Sequence, residues 1–500
     1  MARYKKNEFA QNLLIPVSLN EQIMPGSLEE AISLLVDTRM DMNLFDKKYC
    51  NDEIGRRAYD PRILLKVVLL GYSRGLISSR KLEQACRENV VFMALSCGQY
   101  PDHSTIAAFV SSMKDEIVPL FCNVLLICEE MKLLGGTLFA LDGCKLPSNA
   151  SRKWSGSMDD LRRKHAKIEG KVHELLAQQE KEDLLDEPPD PDNSPKRKNQ
   201  IEKLTKQAER IDAWLKVSGK RTGAQGKEIK SNITDNESAN MLTSHGNVQG
   251  YNSQALVDSK NQVIVHAEVF GNGQDHVHVP PMIEGAQKNM ECIGHSGDYF
   301  KGKALTADTN YHSKVNMQKC IDEGIDAYFP DKKFRIRDPR FASRGLTQKR
   351  MRFALEDFSY DEEENKYICP NGKRLRMGVK RHAQDNTAYR IYRAEDQDCA
   401  DCLVKGRCIH NNGRGPKSLM VPLGADGINL SKLMVEKIKS ERGQKIYSQR
   451  IAIIEPVFAN LRTHKRMDRF TLQGKTKVNI QWMLYCMVHN IEKIAHARAA

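Results

Sequence analysis

The sequence lacks any stretch long enough to cross a membrane. Its longest apolar run, residues 63–70, is interrupted by Lys66, whereas a membrane-spanning helix needs about 20 apolar residues. The opening segment, MARYKKNEFAQNLL, has neither the apolar stretch nor the small-residue cleavage site of a secretion signal. We therefore expect a cytoplasmic protein with no membrane partner.

The chain has fewer acidic than basic residues, and its cysteines form no disulfide pattern. The chain has 64 Asp and Glu against 77 Lys and Arg, a net charge of +13, which favours a polyanionic partner. Its 13 cysteines are odd in number and scattered over 500 residues, so we expect most of them to be reduced, buried thiols. This length allows about three domains, or one core that carries large insertions.

The first part of the chain has helical periodicity and no alternating strand pattern. Helices are predicted over residues 27–36, 60–72, 79–88 and 104–113. Asp60 followed by Pro61 is typical of a helix start, and Ser104 is predicted to cap the last of these helices. Residues 1–134 are therefore predicted to form an all-helical domain.

The pattern changes after Gly135 and Gly136, where TLFALDGCKL predicts a strand. YNSQALVDSKNQVIVHAEVFG then predicts a β-hairpin, KALTAD a strand, SKVNMQKCIDEG a helix and DAYFP another strand. This order of elements predicts a mixed α/β core over residues 135–330.

Two insertions interrupt the core. The first insertion covers about residues 154–225, where Leu161, Ile168 and Leu175 recur every seven residues. A second periodic segment follows the proline-rich stretch DLLDEPPDPDNSPKRK. These two segments predict an antiparallel helical hairpin with a structural or dimerising role. The second insertion, residues 331–440, opens with nine Lys or Arg against two Asp over 331–352 and carries a cysteine cluster. Residues 441–500 are predicted to return to the core as a catalytic helix and a C-terminal helix.

Three acids occupy positions suited to metal-dependent chemistry. Asp142 and Asp308 follow predicted strands, and Glu455 lies in a predicted helix. Carboxylates that converge from such positions can hold two Mg²⁺ ions, which activate an attacking oxygen and neutralise a leaving one. Each acid alone is more often a helix cap or turn residue, so the prediction depends on the three together.

Several segments resemble, in order, the DDE transposases of bacterial insertion sequences. The matching segments are YDPRILLKVVLLGYSRGLISSRKLEQACRENVVFMAL, PDHSTIAAF, ALDGCKLPSNASR, GYNSQALVDSKNQVIV, TADTNYHS and YSQRIAIIEPVFANLRTHK, which together span nearly the whole chain. The resemblance implies an α/β fold with an RNase H-like mixed sheet and flanking helices, preceded by an all-α DNA-binding domain and interrupted by the helical and Cys-containing insertions.

The resemblance also implies an activity and partners. Asp142, Asp308 and Glu455 would hold Mg²⁺ or Mn²⁺ and catalyse DNA strand cleavage and strand transfer at the terminal inverted repeats of the element. The partners would be double-stranded DNA of the element ends and target, and further copies of this chain, since both ends must be held together. The resemblance therefore also implies a cytoplasmic protein that is associated with the nucleoid.

In that family the last segment carries a Tyr, Arg, Glu, Lys signature, which Tyr447, Arg450, Glu455 and Arg462 resemble. Four residues separate Arg450 from Glu455 where the family has three, and Arg462 stands where Lys is usual, although guanidinium also binds phosphate. Asn310 replaces the Gly that commonly precedes the tyrosine of the second-aspartate segment. The full set of predicted DNA contacts is Tyr447, Arg450, Arg462, Lys465, Arg466, Lys332, Lys333, Arg335 and Arg337.

Four cysteines suggest a second, structural metal. Cys399 and Cys402 form a CxxC pair, with Cys408 nearby and Cys369 at a distance, a pattern close to a four-thiolate Zn²⁺ site that would fold the insertion. Unligated thiols are the competing interpretation. A weaker metal alternative is the pair His276 and His278 beside Asp275.

The leading hypothesis is therefore a DNA transposase. A catalytically silent DNA-binding regulator derived from one is the first alternative, and the presence of all three acids weighs against it. A host metal-dependent DNA nuclease is the second, and it would act without particular end sequences.

Overall fold

The structure is a computed structural model that describes residues 18–49, 57–183, 193–223, 226–243, 246–338, 353, 355–382, 388–409, 415–422 and 430–499. The opening segment, the tip of the predicted helical hairpin and residues 339–352 of the basic run lie outside these ranges. Within them, no helix combines the length and the apolar character needed to span a membrane.

The N-terminal region is helical, as predicted. Its helices are α1 (Leu28–Thr38), α2 (Pro61–Ser73), α3 (Ser79–Glu88), α4 (Val90–Leu95), α5 (His103–Ser112) and α6 (Ile117–Glu130). Asp60 caps α2 by accepting a hydrogen bond from the Arg62 amide. The prediction that Ser104 caps α5 was wrong, because Asp102 does so and its carboxylate accepts hydrogen bonds from the Ser104 and Thr105 amides.

The rest of the chain contains both strands and helices. The strands are β1 (Leu138–Pro147), β2 (Ser155–Gly156), β3 (Ser231–Asn232), β4 (Ala239–Thr243), β5 (Gly246–Asp258), β6 (Ile264–Phe270), β7 (Ala304–Ala307), β8 (Asp326–Tyr328), β9 (Ser359–Asp361), β10 (Lys366–Ile368), β11 (Arg374–His382), β12 (Ala388–Arg393) and β13 (Ser418–Pro422). The helices are α7 (Met158–Asp183), α8 (Asn193–Val217), α9 (Val279–Cys292), α10 (Lys314–Asp322), α11 (Phe334–Arg337), α12 (Asp396–Ala400), α13 (Lys405–Cys408), α14 (Leu430–Lys439), α15 (Glu441–Ala459) and α16 (Lys475–Ala499).

The central sheet is mixed and RNase H-like. Strand β5 pairs antiparallel with β1 on one side and with β4 and β6 on the other, while β7 and then β8 join β1 in parallel. The sequence predicted β1 and β5 to β8 but not β4. In β4 only Met241 is buried, so this edge strand is held by its pairing with β5 and lacks a clear alternating pattern.

The N-terminal helices share a hydrophobic core with the sheet. Helix α16 packs on β6 and also on α1, α2 and α6, and Tyr485 of α16 stacks on Tyr72 of α2 with ring centroids 4.4 Å apart. The Trp482 indole donates a hydrogen bond to the Gln254 carbonyl in β5 at 2.9 Å. The C-terminal helix therefore joins the first and second parts of the chain into one continuous core.

Both insertions have small cores of their own. Leu161 of α7 and Ile211 of α8 pack together with Ile233 at the base of an antiparallel hairpin, and the pairing of β2 with β3 closes that base. The second insertion forms a five-stranded antiparallel sheet, β9 to β13. Helix α14 packs on α10 and β8, so the core resumes at Leu430, ahead of the predicted boundary at residue 440.

Replacing Asn490 with Leu should lower the free energy of unfolding by about 2–4 kcal/mol, because the Ile264 amide and carbonyl would lose their partners. The buried Asn490 side chain accepts from the Ile264 amide at 2.9 Å and donates to its carbonyl at 2.8 Å. Asn479→Leu is the control, since half-buried Asn479 accepts one hydrogen bond from the Val269 amide. Chemical denaturation should show a larger loss of unfolding free energy for Asn490→Leu than for Asn479→Leu. Equal losses would contradict this interpretation.

Candidate active site

Asp142 and Asp308 lie side by side at the centre of the sheet. Strands β1 and β7 pair in parallel up to Leu141 and Ala307, and the next residue on each chain is the aspartate. Neighbouring strands are about 4.8 Å apart, so the register places the two acids next to each other. Asp142 was expected at the end of its strand, but β1 continues along β5 to Pro147. Asp142 therefore lies where β7 ends and leaves one side of β1 open.

Arg450 binds this pair from helix α15. Its Nη1 donates a hydrogen bond to Asp142 Oδ2 at 2.8 Å, its side chain is only 8% exposed, and its charge also acts on Asp308. Arg450 was predicted to contact DNA, and in this structure it partly neutralises the carboxylates instead. Tyr447, one helical turn earlier, is half-buried and meets the Phe334 ring edge-on with centroids 5.0 Å apart.

The two acids are harder to ionise than ordinary aspartates. Burial raises the pKa of Asp142 to about 6, with Arg450 opposing the change and the charge of Asp308 adding to it. Burial also raises the pKa of Asp308, against a hydrogen bond from the Asn310 amide. Two adjacent carboxylates that share one guanidinium form a site that favours a further cation.

A buried network of polar side chains lies next to Asp142 and Asp308. The Tyr311 hydroxyl donates to Gln254 Oε1, and Gln254 Nε2 donates to Asp275 Oδ1 at 2.9 Å. Gly143 makes room for this amide, because a Cβ there would lie 2.0 Å from Gln254 Nε2. The network links the turn after Asp308 to the strand that carries Asp142, so it fixes their relative position.

Asp275 is a third carboxylate near the pair, and its charge adds to the raised pKa of Asp308. In the sequence, Asp275 was considered only as the neighbour of two histidines. It begins a 3-10 helix of three residues after β6, so it does not directly follow a strand and was not predicted as a site residue. The histidine alternative is not supported by the structure, since His276 is exposed whereas His278 is buried and stacked on Phe270.

Glu455 does not join Asp142 and Asp308 in this structure. It is exposed on α15 and lines an open cleft with Phe458, Arg462 and Asp468. Five residues after Arg450, it points about 140° away around the helix. Across the described parts of the chain, no three His, Cys, Asp or Glu side chains stand close enough to hold a metal ion.

The cleft of Glu455 nevertheless opens beside β1, the strand that carries Asp142. The charge of Arg462 acts on the Cys144 thiol, two residues beyond Asp142. Pro456 has no amide hydrogen for the Ala452 carbonyl four residues earlier, and that carbonyl instead accepts from Gln262 Nε2 at 2.9 Å. Helix α15 is therefore anchored to the β5–β6 turn next to Glu455.

Lys465 is not available to DNA, which corrects the prediction for this residue. Its side chain is 0% exposed, and its Nζ donates to Glu492 Oε2 at 2.5 Å and to Asn460 Oδ1 at 2.8 Å. Burial lowers its pKa, and Glu492 opposes that change. Lys465 thus joins the segment that follows α15 to α16.

The other predicted DNA contacts are mostly on the surface. Arg466 is exposed and its stem lies against Gly75 of the N-terminal region. Lys332 and Arg335 are exposed, and the charge of Arg335 acts on Asp308. Lys333 is half-buried, and Arg337 pairs with Asp331. The basic run therefore begins beside the carboxylate pair.

The four cysteines of the insertion face one small cavity. Cys369, Cys399, Cys402 and Cys408 all line it, and burial together with the other three thiols raises the pKa of Cys408. The Lys373 amide donates to Cys369 Sγ at 3.3 Å. The sulfurs share this cavity without forming a set that holds a metal in the described structure, so zinc binding stays a prediction.

The fold and site define an RNase H-like protein whose paired aspartates lie at the centre of a mixed sheet. Two family models match the chain: a transposase domain (DUF772) over residues 17–112 and a transposase DDE domain over residues 368–495. No curated protein matches the chain. Together the two matches support a DDE transposase of an insertion element, a family whose enzymes generally use divalent metal ions. Glu455 lies inside the second match, and Asp142 and Asp308 lie between the two.

Asp142→Asn should stabilise the protein more at pH 8 than at pH 4. The pKa of Asp142 is about 6 against an ordinary 3.8, so its ionisation costs stability as pH rises through this window, up to about 3 kcal/mol. Thermal unfolding at both pH values measures the gain.

The control is Asp298→Asn. Asp298 is exposed, and a hydrogen bond from Ser296 lowers its pKa, so this change should give no gain at pH 8. An equal effect of Asp142→Asn at the two pH values would contradict the raised pKa of Asp142.

Proposed function

We propose that this transposase binds the terminal inverted repeats of its insertion sequence and catalyses DNA strand cleavage and strand transfer. The observation that carries the proposal is the parallel register of β1 and β7, which sets Asp142 beside Asp308. The excess of Lys and Arg over the whole chain suits a polyanionic substrate.

The residues present fit a divalent metal ion. Two adjacent carboxylates offer the hard oxygen ligands that Mg²⁺ and Mn²⁺ prefer. Burial raises the pKa values of both, and a bound cation would favour their ionised forms. When bound, such ions activate an attacking oxygen and stabilise a leaving one. Asp142 and Asp308 would hold the metal, and Arg450 fixes the orientation of Asp142.

Basic side chains around the pair suit the phosphates of the substrate. Arg335 is exposed near Asp308, and Arg462 is exposed in the cleft beside Cys144. We assign them, with exposed Arg466, Lys332 and the half-buried Tyr447, to contacts with the DNA backbone. Because both ends of an element must be joined, the active form would be at least a dimer on DNA.

Cleavage of a plasmid that carries the DNA flanking the gene tests this proposal. With Mg²⁺ we expect 3′-hydroxyl ends at flanking inverted repeats, and a loss of about 10³-fold in rate for Asp142→Asn or Asp308→Asn, the equivalent of several kcal/mol in the barrier. Asp298→Asn is the surface control and should cut normally.

The other outcomes identify the alternatives. Specific binding without cleavage would favour the silent regulator, and scattered cuts that still depend on Asp142 would favour a general nuclease. Both results would contradict a transposase that recognises its own ends.

The identity of the third acid needs a separate comparison. We propose Glu455, because it shares one open cleft with Arg462 on the helix that also presents Arg450 to Asp142. Glu455→Gln should then lower the cleavage rate by about as much as Asp142→Asn, to within tenfold. Asp275→Asn should have a smaller effect through the Gln254 network. The reverse order would assign the third position to Asp275.

We also propose a structural Zn²⁺ at the four cysteines, because their side chains face one cavity. The purified protein should contain one zinc per chain by elemental analysis, and Cys402→Ser with Cys408→Ser should remove it. Cys97→Ser is the control, since Cys97 is an exposed thiol far from the cluster in sequence. A wild-type protein free of zinc, made with zinc present, would contradict this proposal.

A further inference from the structure

The base of the helical hairpin carries an aromatic ring surrounded by cations. Trp154 is half-buried in the short turn that follows β1. Lys164 Nζ lies 4.3 Å from its ring centroid, and the guanidinium carbon of Arg210 lies 5.8 Å from it. Both distances are in the range of cation–π contacts, so the ring holds the two charges on the same small surface.

These cations are not neutralised within the described structure. Elsewhere in the hairpin Arg163 pairs with Asp160 and Lys216 pairs with Asp212. By contrast, Lys164 and Arg210 belong to no ion pair among the residues that the structure describes. Burial lowers the pKa of Lys164, and the charge of Lys153 lowers it further. Cations therefore outnumber carboxylates around Trp154. Glu202 lines the same groove, but it pairs with Lys206 and not with Lys164 or Arg210.

The positive surface continues along α8. This helix contains seven Lys or Arg and three Asp or Glu, whereas α7 contains six and seven. An open groove runs from Trp154 past Arg210 and Lys203, and a second groove extends it to Lys196. From Lys196 to Arg210 the helix rises about 21 Å, the length of about six base-pair steps of duplex DNA. Asn199 and Gln207 line the same grooves and add amide donors.

This surface is fixed relative to the catalytic strand. Asn149, between β1 and Trp154, donates to the Thr471 carbonyl at 3.0 Å and accepts from Gln473 Nε2 at 2.7 Å. Thr471 and Gln473 belong to the loop that follows helix α15. The segment that positions Trp154 is thus attached on one side to the strand of Asp142 and on the other to the chain after Glu455.

We propose that the face of α8 with Trp154, Lys164 and Arg210 is a DNA-binding surface that contacts the phosphate backbone away from the cleaved bond. The inference rests on the proposed function and adds a site to it. The alternative occupant is a second copy of this chain. A two-fold symmetric contact through this face would bring basic α8 against basic α8, and the apolar Leu161 and Ile211 are already used inside the hairpin. Charge therefore favours DNA.

The test is the salt dependence of DNA binding by the full-length protein. The double variant Lys164→Gln, Arg210→Gln is compared with Arg163→Gln, Lys216→Gln, which removes two charges from the same hairpin at paired positions. The probes are a duplex from the DNA flanking the gene and a random-sequence duplex of equal length. Because each phosphate contact contributes about one unit to the slope of log K against log salt, the first variant should lower the slope by about 2 on both probes.

Other results would overturn either this inference or the proposed function. An unchanged slope, or an equal drop in the control, would overturn the inference, as would a variant that loses self-association in the absence of DNA. Lys203→Gln with Lys196→Gln repeats the measurement on exposed groove residues if the first variant fails to fold. Failure of the wild-type protein to bind either duplex would instead overturn the proposed function.

Discussion

The partial burial of two neighbouring carboxylates, Asp142 and Asp308, is the constraint on which the rest of this structure depends. The parallel register of β1 and β7 places Asp142 beside Asp308, and burial raises the pKa of both. Arg450 opposes this rise in the pKa of Asp142 through its 2.8 Å contact with that carboxylate. Helix α15 therefore has to lie close enough to β1 for Arg450 to reach Asp142. The site remains suited to a further cation.

The surrounding structure keeps this unfavourable pair in place. Gln254 occupies the space above Gly143 and receives the Tyr311 hydroxyl, so the turn after Asp308 cannot move independently of β1. Gln262 anchors α15 where Pro456 leaves a carbonyl without its helical partner. Helix α16 then packs the sheet against the N-terminal helices. A pair of acids whose ionisation costs folding energy is thus held by a core that extends over most of the chain.

The sequence predicted the parts of the site that local patterns mark. Asp142 and Asp308 follow strand-forming segments, and the insertions interrupt the core where periodicity changes. Residues whose role depends on distant partners were harder to predict. Asp275 begins a short 3-10 helix and contacts Gln254, and its charge acts on Asp308. Lys465 has no local pattern that distinguishes it from a basic surface residue, because its partner Glu492 lies 27 positions later. The direction of Glu455 depends on how α15 rotates against the sheet, which no local pattern determines.

The most direct test of the central claim is Mn²⁺ binding to the purified protein, followed by electron paramagnetic resonance across a pH series. The paired aspartates predict binding that strengthens as pH rises through about 6, where Asp142 ionises, and that is lost in Asp308→Asn. Binding that is independent of pH, or that survives this substitution unchanged, would contradict the assignment of the metal site to Asp142 and Asp308.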